Sequence, residues 1–163
     1  MALQLRAGAA IHLPHDQELA SLNDITASGH SFYSPTVGAF IHALGQVQRL
    51  LRKGEEFCAA EGVSPDVILQ RRLSPDMHPF VYQVKSTKVH SLGAIEGIRR
   101  GTFSPDATVP PDSFAGLADM IDETRLALEA MPPREIDALA EQDMVFSVGS
   151  YRAAFTGRSF LLT

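Results

Sequence analysis

Apolar residues recur every three or four positions along residues 35–61, and this spacing restricts the fold more than any other feature of the chain. Six of them fall on one side of a helix: Val37, Phe40, Ile41, Leu44, Val47 and Leu51. Pro35 suits the first turn of such a helix, and Gly62 suits the position after its last turn. A helix with one apolar face must pack that face against other elements, so the pattern predicts a helical bundle.

Two further long helices are predicted downstream of the first. The second is predicted over residues 76–100, because Ser74 is a good capping residue before its start and Gly101 is a good stop signal. The third is predicted over residues 112–131, where an apolar stripe ends at a pair of prolines. Together with the first helix, these segments predict three long helices.

The pattern changes near the end of the chain, where a β-hairpin is predicted over residues 143–155. Valine, phenylalanine and tyrosine flank Gly149 there, and glycine favours a tight turn between two strands. The length of 163 residues suits a single domain. We therefore expect a mainly α fold over residues 32–163, an up-down helical bundle with a small hairpin. Residues 1–31 are expected to form a weakly structured N-terminal extension.

Composition and charge narrow the partners that the chain can have. The formal net charge of −5 at pH 7 argues against nucleic acid, because a phosphate backbone binds basic surfaces. No apolar run approaches the roughly 20 residues of a bilayer-spanning helix, so no membrane contact is expected. Cys58 is the sole cysteine, which excludes an internal disulfide and suits a reducing, cytoplasmic location.

Three segments of the chain resemble one known family. They are Phe32–Val37, Arg72–Pro79 with the following Gln83, and Phe155–Leu162. The family is the domain of unknown function DUF1993, which belongs to the DinB-like and YfiT-like superfamily of four-helix bundles. The resemblance covers about residues 32–163 and implies a DinB-like bundle for that domain. It implies no activity, because the family has none assigned.

The resemblance also bears on metal binding. Members of the family continue into a long final helix, so the bundle is expected to have its last helix truncated. Metal-dependent members of the superfamily use one histidine of the second helix and two of the last. We therefore expect no cofactor, and a divalent metal only if the last helix is restored. His78 and His90 are weak candidates for the second-helix ligand.

A line of polar residues follows the second predicted helix. Asp76, Gln83 and His90 are seven positions apart, and Thr87 lies near their line beside the apolar stripe. Carboxylate, amide and imidazole groups there could line a pocket between helices and bind a metal or relay a proton. In the alternative interpretation, Asp76 caps the helix, Gln83 bonds to neighbouring backbone and His90 is solvated.

Three functions stay open from the sequence. The first is a DinB-like bundle of unknown activity, descended from metal- or thiol-dependent transferases. The second is a non-catalytic bundle that forms a homodimer or binds a partner, which the uncovered flank of a truncated bundle favours. The third is a helix-turn-helix DNA-binding protein, which the acidic charge disfavours. Neither a reaction nor a small-molecule ligand follows from the residues alone.

Overall fold

In the computed structural model, which describes residues 31–163, the first long helix follows a π-helical turn. The turn spans Ser34–Gly38 and continues directly into α1, Ala39–Glu61. Helix α1 ends at Gly62, whose φ of 64° is the left-handed conformation that glycine adopts without steric cost. The first predicted helix is therefore confirmed. A short helix, α2, follows at Pro65–Leu69.

The second predicted helix is wrong in its start and in its continuity, because the structure divides residues 76–100 differently. Helix α3 spans Phe80–Val89 and a separate helix, α4, spans Leu92–Arg100. Pro79 directly precedes α3. A proline disfavours the helical conformation of the residue before it, here His78, so the helix begins later than the capping signal suggested.

Hydroxyl groups explain the break between α3 and α4. Ser91 Oγ donates a hydrogen bond to the Thr87 carbonyl at 2.6 Å, and Ser86 Oγ donates to the Tyr82 carbonyl at 3.0 Å. Such bonds to the carbonyls of the preceding turn compete with the helical backbone and bend it. His90 and Ser91 accordingly leave the helical conformation between the two helices.

The third long helix, α5, contacts α1, α3 and α4. It spans Phe114–Glu129, which confirms the prediction over residues 112–131 to within two residues at each end. Ser113 caps it, since its Oγ accepts a hydrogen bond from the Gly116 N–H at 3.1 Å. Its fully buried side chains include Leu117, which is 0% exposed, and helix α5 therefore supplies the centre of the apolar core.

A small three-stranded sheet packs against α4. Its strands are β1, Thr102–Phe103, β2, Asp143–Val148, and β3, Tyr151–Thr156, in the order β1-β2-β3. Strands β2 and β3 form the predicted antiparallel hairpin, which turns at Gly149 with a φ of 55°. Strand β1 pairs with β2 in parallel and was not predicted.

Strand β1 lies against α4 because Gly97 leaves room for it. A Cβ atom at Gly97 would lie 2.8 Å from Cβ of Phe103, which is closer than packed side chains allow. Phe103 itself is buried. The Phe103 side chain, which packs on Gly97 of α4, thus holds the sheet against the helices.

Two short helices, α6 at Pro133–Leu139 and α7 at Gly157–Leu161, border the sheet. The fold is mainly helical with a small sheet near its C-terminal end, as the sequence predicts in outline. No helix described for residues 31–163 has both the length and the apolar character needed to cross a membrane. The predicted N-terminal extension, residues 1–31, lies outside the described residues except for Ser31.

Candidate functional site

The predicted polar line is not one continuous feature, because Asp76 lies in the turn before α3 and not on the helix. Asp76 is exposed, and its carboxylate accepts a hydrogen bond from the Ser74 hydroxyl. That bond, with a further one from its own backbone N–H, lowers the pKa of the Asp76 carboxyl below its ordinary value. Asp76 thus organises its own turn.

The other three predicted residues lie along α3 and at its end. Gln83 is exposed, and its Nε2 donates to the His78 carbonyl at 3.3 Å. Thr87 is half-buried, and its Oγ1 donates to the Val84 carbonyl at 2.7 Å. His90 is exposed and lies directly after the helix, at its C-cap. These bonds to local backbone match the alternative interpretation, and a shared pocket stays a prediction.

The two candidate metal ligands lie at opposite ends of α3. His78 precedes the helix and stacks on Tyr82, with ring centroids 3.9 Å apart. His90 follows the helix, and its ring lies 5.9 Å from the ring of Phe103. The helix between them has 10 residues and is therefore about 15 Å long. Within residues 31–163, no group of three or more His, Cys, Asp or Glu side chains could hold a metal ion.

A buried lysine that the sequence analysis missed fastens the segment after β1 to α3. Lys85 is 3% exposed, and its Nζ donates to the Asp106 carbonyl at 2.8 Å and to the Thr108 carbonyl. Buried ammonium groups need such partners, because burial removes the water that otherwise solvates them. Val81 and Val89, one turn before and after Lys85, are also buried, and this spacing was the available signal.

The Asp106 carboxylate completes this cluster from the exposed side. Its Oδ1 accepts from the Thr108 N–H at 2.7 Å, and its Oδ2 accepts from the Thr108 hydroxyl at 2.6 Å. The Thr108 hydroxyl, then the Thr108 N–H, and less strongly the Lys85 charge lower the pKa of the Asp106 carboxyl. Lys85 Nζ lies 3.5 Å from Asp106 Oδ2. Lys85, Asp106 and Thr108 therefore find hydrogen-bond partners in one another, and we call these three residues the clamp.

A groove with several charged residues runs between α1 and α5. Gln48 Nε2 on α1 donates a hydrogen bond to Asp122 Oδ1 on α5, and this bond bridges the two helices. Beside the bridge lies a cleft of about 340 Å³ whose lining includes Arg49, Arg52 and Arg125. Guanidinium groups that converge on a cleft can bind carboxylate or phosphate groups.

The sequence carries a signal for this groove on the polar side of α1. Four residues follow one another at spacings of three or four along α1 and therefore share one side of the helix: His42, Gly45, Arg49 and Arg52. A cation-rich side of an amphipathic helix is usually solvated, and only the packing of α5 beside it turns that side into a cleft wall.

A second, aromatic cleft of about 280 Å³ lies where the hairpin meets α7. Its lining consists of Phe146, Tyr151, Phe155, Phe160 and Thr163. The ring centroids of Phe155 and Phe160 are 5.6 Å apart, and those of Phe146 and Tyr151 are 6.3 Å apart, both within the range of aromatic contacts. Tyr151 is 62% exposed, which leaves one side of this cluster open to solvent.

Comparison with known proteins gives one result. Residues 32–163 match the model of the family described as Domain of unknown function (DUF1993). No match was found among curated protein sequences or among solved structures. The family description assigns no activity, so the chemistry of the chain has to be argued from its own surfaces.

Proposed function

The chain belongs to the family Domain of unknown function (DUF1993), and on that premise we propose that it is a DinB-like helical bundle that works as a non-catalytic homodimer. The observation that carries the proposal is the outer edge of β3, a strand of six residues with which no other strand of residues 31–163 pairs on that side. An open strand edge is a template for pairing with another strand.

The hairpin register identifies which backbone groups of β3 point away from β2. Gly157 N–H donates to the Gln142 carbonyl at 2.8 Å, so these two residues form a hydrogen-bonded pair. Hydrogen-bonded and non-hydrogen-bonded pairs alternate along an antiparallel ladder. When this alternation is followed back from Gly157, the N–H groups of Arg152 and Ala154 point away from β2. Among the backbone hydrogen bonds that residues 31–163 make outside their helices and strands, none uses these groups.

The sequence of β3 suits antiparallel pairing with a second copy of itself. A two-fold axis at Ala153 places Arg152 opposite the partner's Ala154, and each such pair can exchange two backbone hydrogen bonds. Alanine lies at the centre of this contact, so no bulky side chains collide there. The same register places Tyr151 opposite the partner's Phe155, which forms an aromatic cross-strand pair on each side of the axis.

The aromatic cleft supplies the apolar area that strand pairing alone lacks. Two paired strands are marginally stable in water without an apolar face, so backbone bonds by themselves would not hold the dimer. Tyr151 is 62% exposed and Val148, beside it in the hairpin, is 48% exposed. In the proposed dimer the partner's Phe155 covers Tyr151, and Val148 extends the same apolar face by one strand. This burial accounts for exposed apolar residues beside an edge that no described strand covers.

The test uses a proline that removes one outward N–H. In Ala154→Pro the strand loses a donor that faces the partner, and the bonds to β2 remain because that amide does not face β2. Ala154→Ser keeps the amide and is the matched control. We expect a dimer for the wild type and for Ala154→Ser at about 100 µM, well above a micromolar dissociation constant. Light scattering with gel filtration measures the mass.

In the same experiment, Ala154→Pro is expected to be a monomer with an unchanged circular dichroism spectrum. A monomeric wild type at that concentration would contradict the proposal. A dimeric Ala154→Pro would also contradict it, because the dimer would then use another surface. Tyr151→Ser gives an independent readout, since it keeps the strand backbone and should weaken the dimer about tenfold by removing both aromatic pairs.

The proposal includes no metal and no cofactor. The separation of His78 and His90 by the length of α3 supports this, because two ligands about 15 Å apart cannot bind one ion. A divalent metal would require the histidines that the family resemblance places on a final helix. Cys58 is buried near the end of α1, which gives little support to thiol chemistry. Metal analysis of a chelator-washed sample checks the expectation.

A further inference from the structure

The cleft between α1 and α5 combines free positive charge with space for a ligand. Arg49 and Arg52 both line it, and neither forms an ion pair with any acidic residue in the part of the chain that the structure describes. Arg49 Nε donates to the neutral Gln46 at 3.1 Å. Two uncompensated guanidinium groups on one cleft are unexpected in a chain of net charge −5.

The acidic groups of α5 beside the cleft are already bound to other partners. Arg125 forms ion pairs with Glu129 at 2.6 Å and with Asp122 at 3.6 Å. Asp122 also accepts the hydrogen bond from Gln48. These contacts neutralise Arg125 and hold Asp122 at the bridge, so the positive charge of Arg49 and Arg52 remains available. Glu55 lies one turn beyond Arg52, but their charged groups are more than 4.0 Å apart.

One donor in the cleft wall has no acceptor. Arg125 Nε is a buried side-chain nitrogen without a hydrogen-bond partner among the described residues. Buried donors without a partner are rare in folded proteins, and an unseen water or ion is one of the usual reasons for them. Its position leaves one unpaired N–H donor of Arg125 in the same cleft wall as Arg49 and Arg52.

Gly45 is one of the residues that line the cleft. A Cβ atom at this position would meet no other atom within 4 Å, so the glycine leaves empty space between His42, Arg49 and Arg52. The cleft volume of about 340 Å³ lies within the range of small-molecule sites and suits a compact ligand better than a macromolecule. His42 Nε2 lies 3.3 Å from Gln46 Nε2 and accepts from it, so Nδ1 is the ring nitrogen that carries the N–H. This N–H and the guanidinium groups are donors for one tetrahedral anion.

We propose that the cleft between α1 and α5 is a binding site for a phosphate group carried by a small metabolite. Arg49 and Arg52 bind the phosphate oxygens by charge-assisted hydrogen bonds, His42 donates from the third side, and Gly45 leaves the space that the group occupies. The site is separate from the outer edge of β3 and does not depend on dimer formation.

The test titrates the full chain with inorganic phosphate and follows the thermal midpoint of unfolding, with sodium chloride at matched ionic strength as the reference. A ligand that binds only the folded state raises this midpoint in a saturable way. We expect a saturable rise for the wild type, with half-saturation at about 1 mM for the isolated anion. No saturable rise above the chloride reference up to about 20 mM would overturn the proposal.

Three variants make the test specific to the cleft. Arg52→Gln should weaken phosphate binding about tenfold, because it removes a charge-assisted hydrogen bond. Gly45→Met should abolish binding by filling the cleft, while the open space around Gly45 preserves the fold. Lys53→Gln removes one charge next to Arg52 on an exposed position outside the cleft lining, and it should bind as the wild type does. An equal loss in Lys53→Gln and Arg52→Gln would show general charge attraction and overturn the proposal.

A second titration separates phosphate from other dianions. Succinate carries two carboxylates and comparable charge, but its charges lie at the ends of a chain and not on one tetrahedral group. We expect it to raise the midpoint at least tenfold less effectively than phosphate. Equal potency of succinate and phosphate would overturn the assignment to a phosphate group.

Discussion

The two cationic regions of the molecule differ in where their positive groups find acceptors. In the clamp of Lys85, Asp106 and Thr108, the ammonium group is 3% exposed and bonds to two carbonyls of its own chain. In the cleft between α1 and α5, Arg49 and Arg52 have no acidic partner among residues 31–163. The ammonium group of the first region is paired within the fold, whereas the arginines of the second region have no acidic partner among the described residues.

This difference separates a structural role from a binding role. Replacing a buried cation whose N–H donors are all bonded within its own chain should destabilise the protein. The carbonyl groups that it bonded lose their donor and stay buried without a partner. Partly exposed arginines contribute little to stability, because water solvates them in both the folded and the unfolded state. Substitutions in the two regions should therefore have opposite effects on unfolding and on ligand binding.

The largest effect is expected at Lys85. Lys85→Glu places a negative charge against two carbonyls and the Asp106 carboxylate, and it should lower the free energy of unfolding by about 3 kcal/mol or more. Lys85→Met keeps the volume without the donor and should cost about 1–3 kcal/mol. Urea denaturation measures both variants. Lys88→Glu, on an exposed position of the same helix, is the control and should stay within about 0.5 kcal/mol of the wild type.

A smaller effect is expected at Asp106, and it should depend on pH. The Thr108 hydroxyl and N–H hold the pKa of the Asp106 carboxyl below its ordinary value of 3.8. A group whose pKa is lowered by folding stabilises the protein above that ordinary value, and this contribution is lost as pH falls through the lower folded value. Asp106→Asn should therefore be less stable than the wild type at pH 7.

The stability difference between wild type and Asp106→Asn should shrink when urea denaturation is repeated below pH 3.8. Thr108→Val removes the hydroxyl and should give a similar but smaller pH dependence. A difference that stays constant from pH 7 to pH 3 would contradict the argument, because it would show that packing and not the ionised carboxylate causes the loss.

The smallest effect is expected in the cleft. The double variant Arg49→Gln with Arg52→Gln should unfold within about 0.5 kcal/mol of the wild type, since neither side chain forms an ion pair in the described fold. The same urea series as for Lys85 checks this. A loss comparable to that of Lys85→Met would mean that the arginines hold the two helices together, and the contrast between the two regions would fail.

Much of the helical order could be predicted from local patterns, and the candidate site could not. The spacing that placed Asp76, Gln83 and His90 on one line assumed a single helix, but Pro79 delays its start and hydroxyl bonds end it at His90. Asp76 consequently lies outside the helix. The bonding partners that Gln83 and Thr87 find in nearby backbone match the alternative interpretation, which needed no tertiary contact.

The sequence by itself determined the features that depend on neighbouring residues. These are the span of α1 and its end at Gly62, the capped α5 and the hairpin around Gly149, because periodicity, capping and turn chemistry act within a few positions. Tertiary structure alone decided the pairing of β1 with β2, the two acceptors of Lys85 and the cleft beside Arg49. Each of these joins segments far apart in the chain, and the contact exists only once the helices have packed.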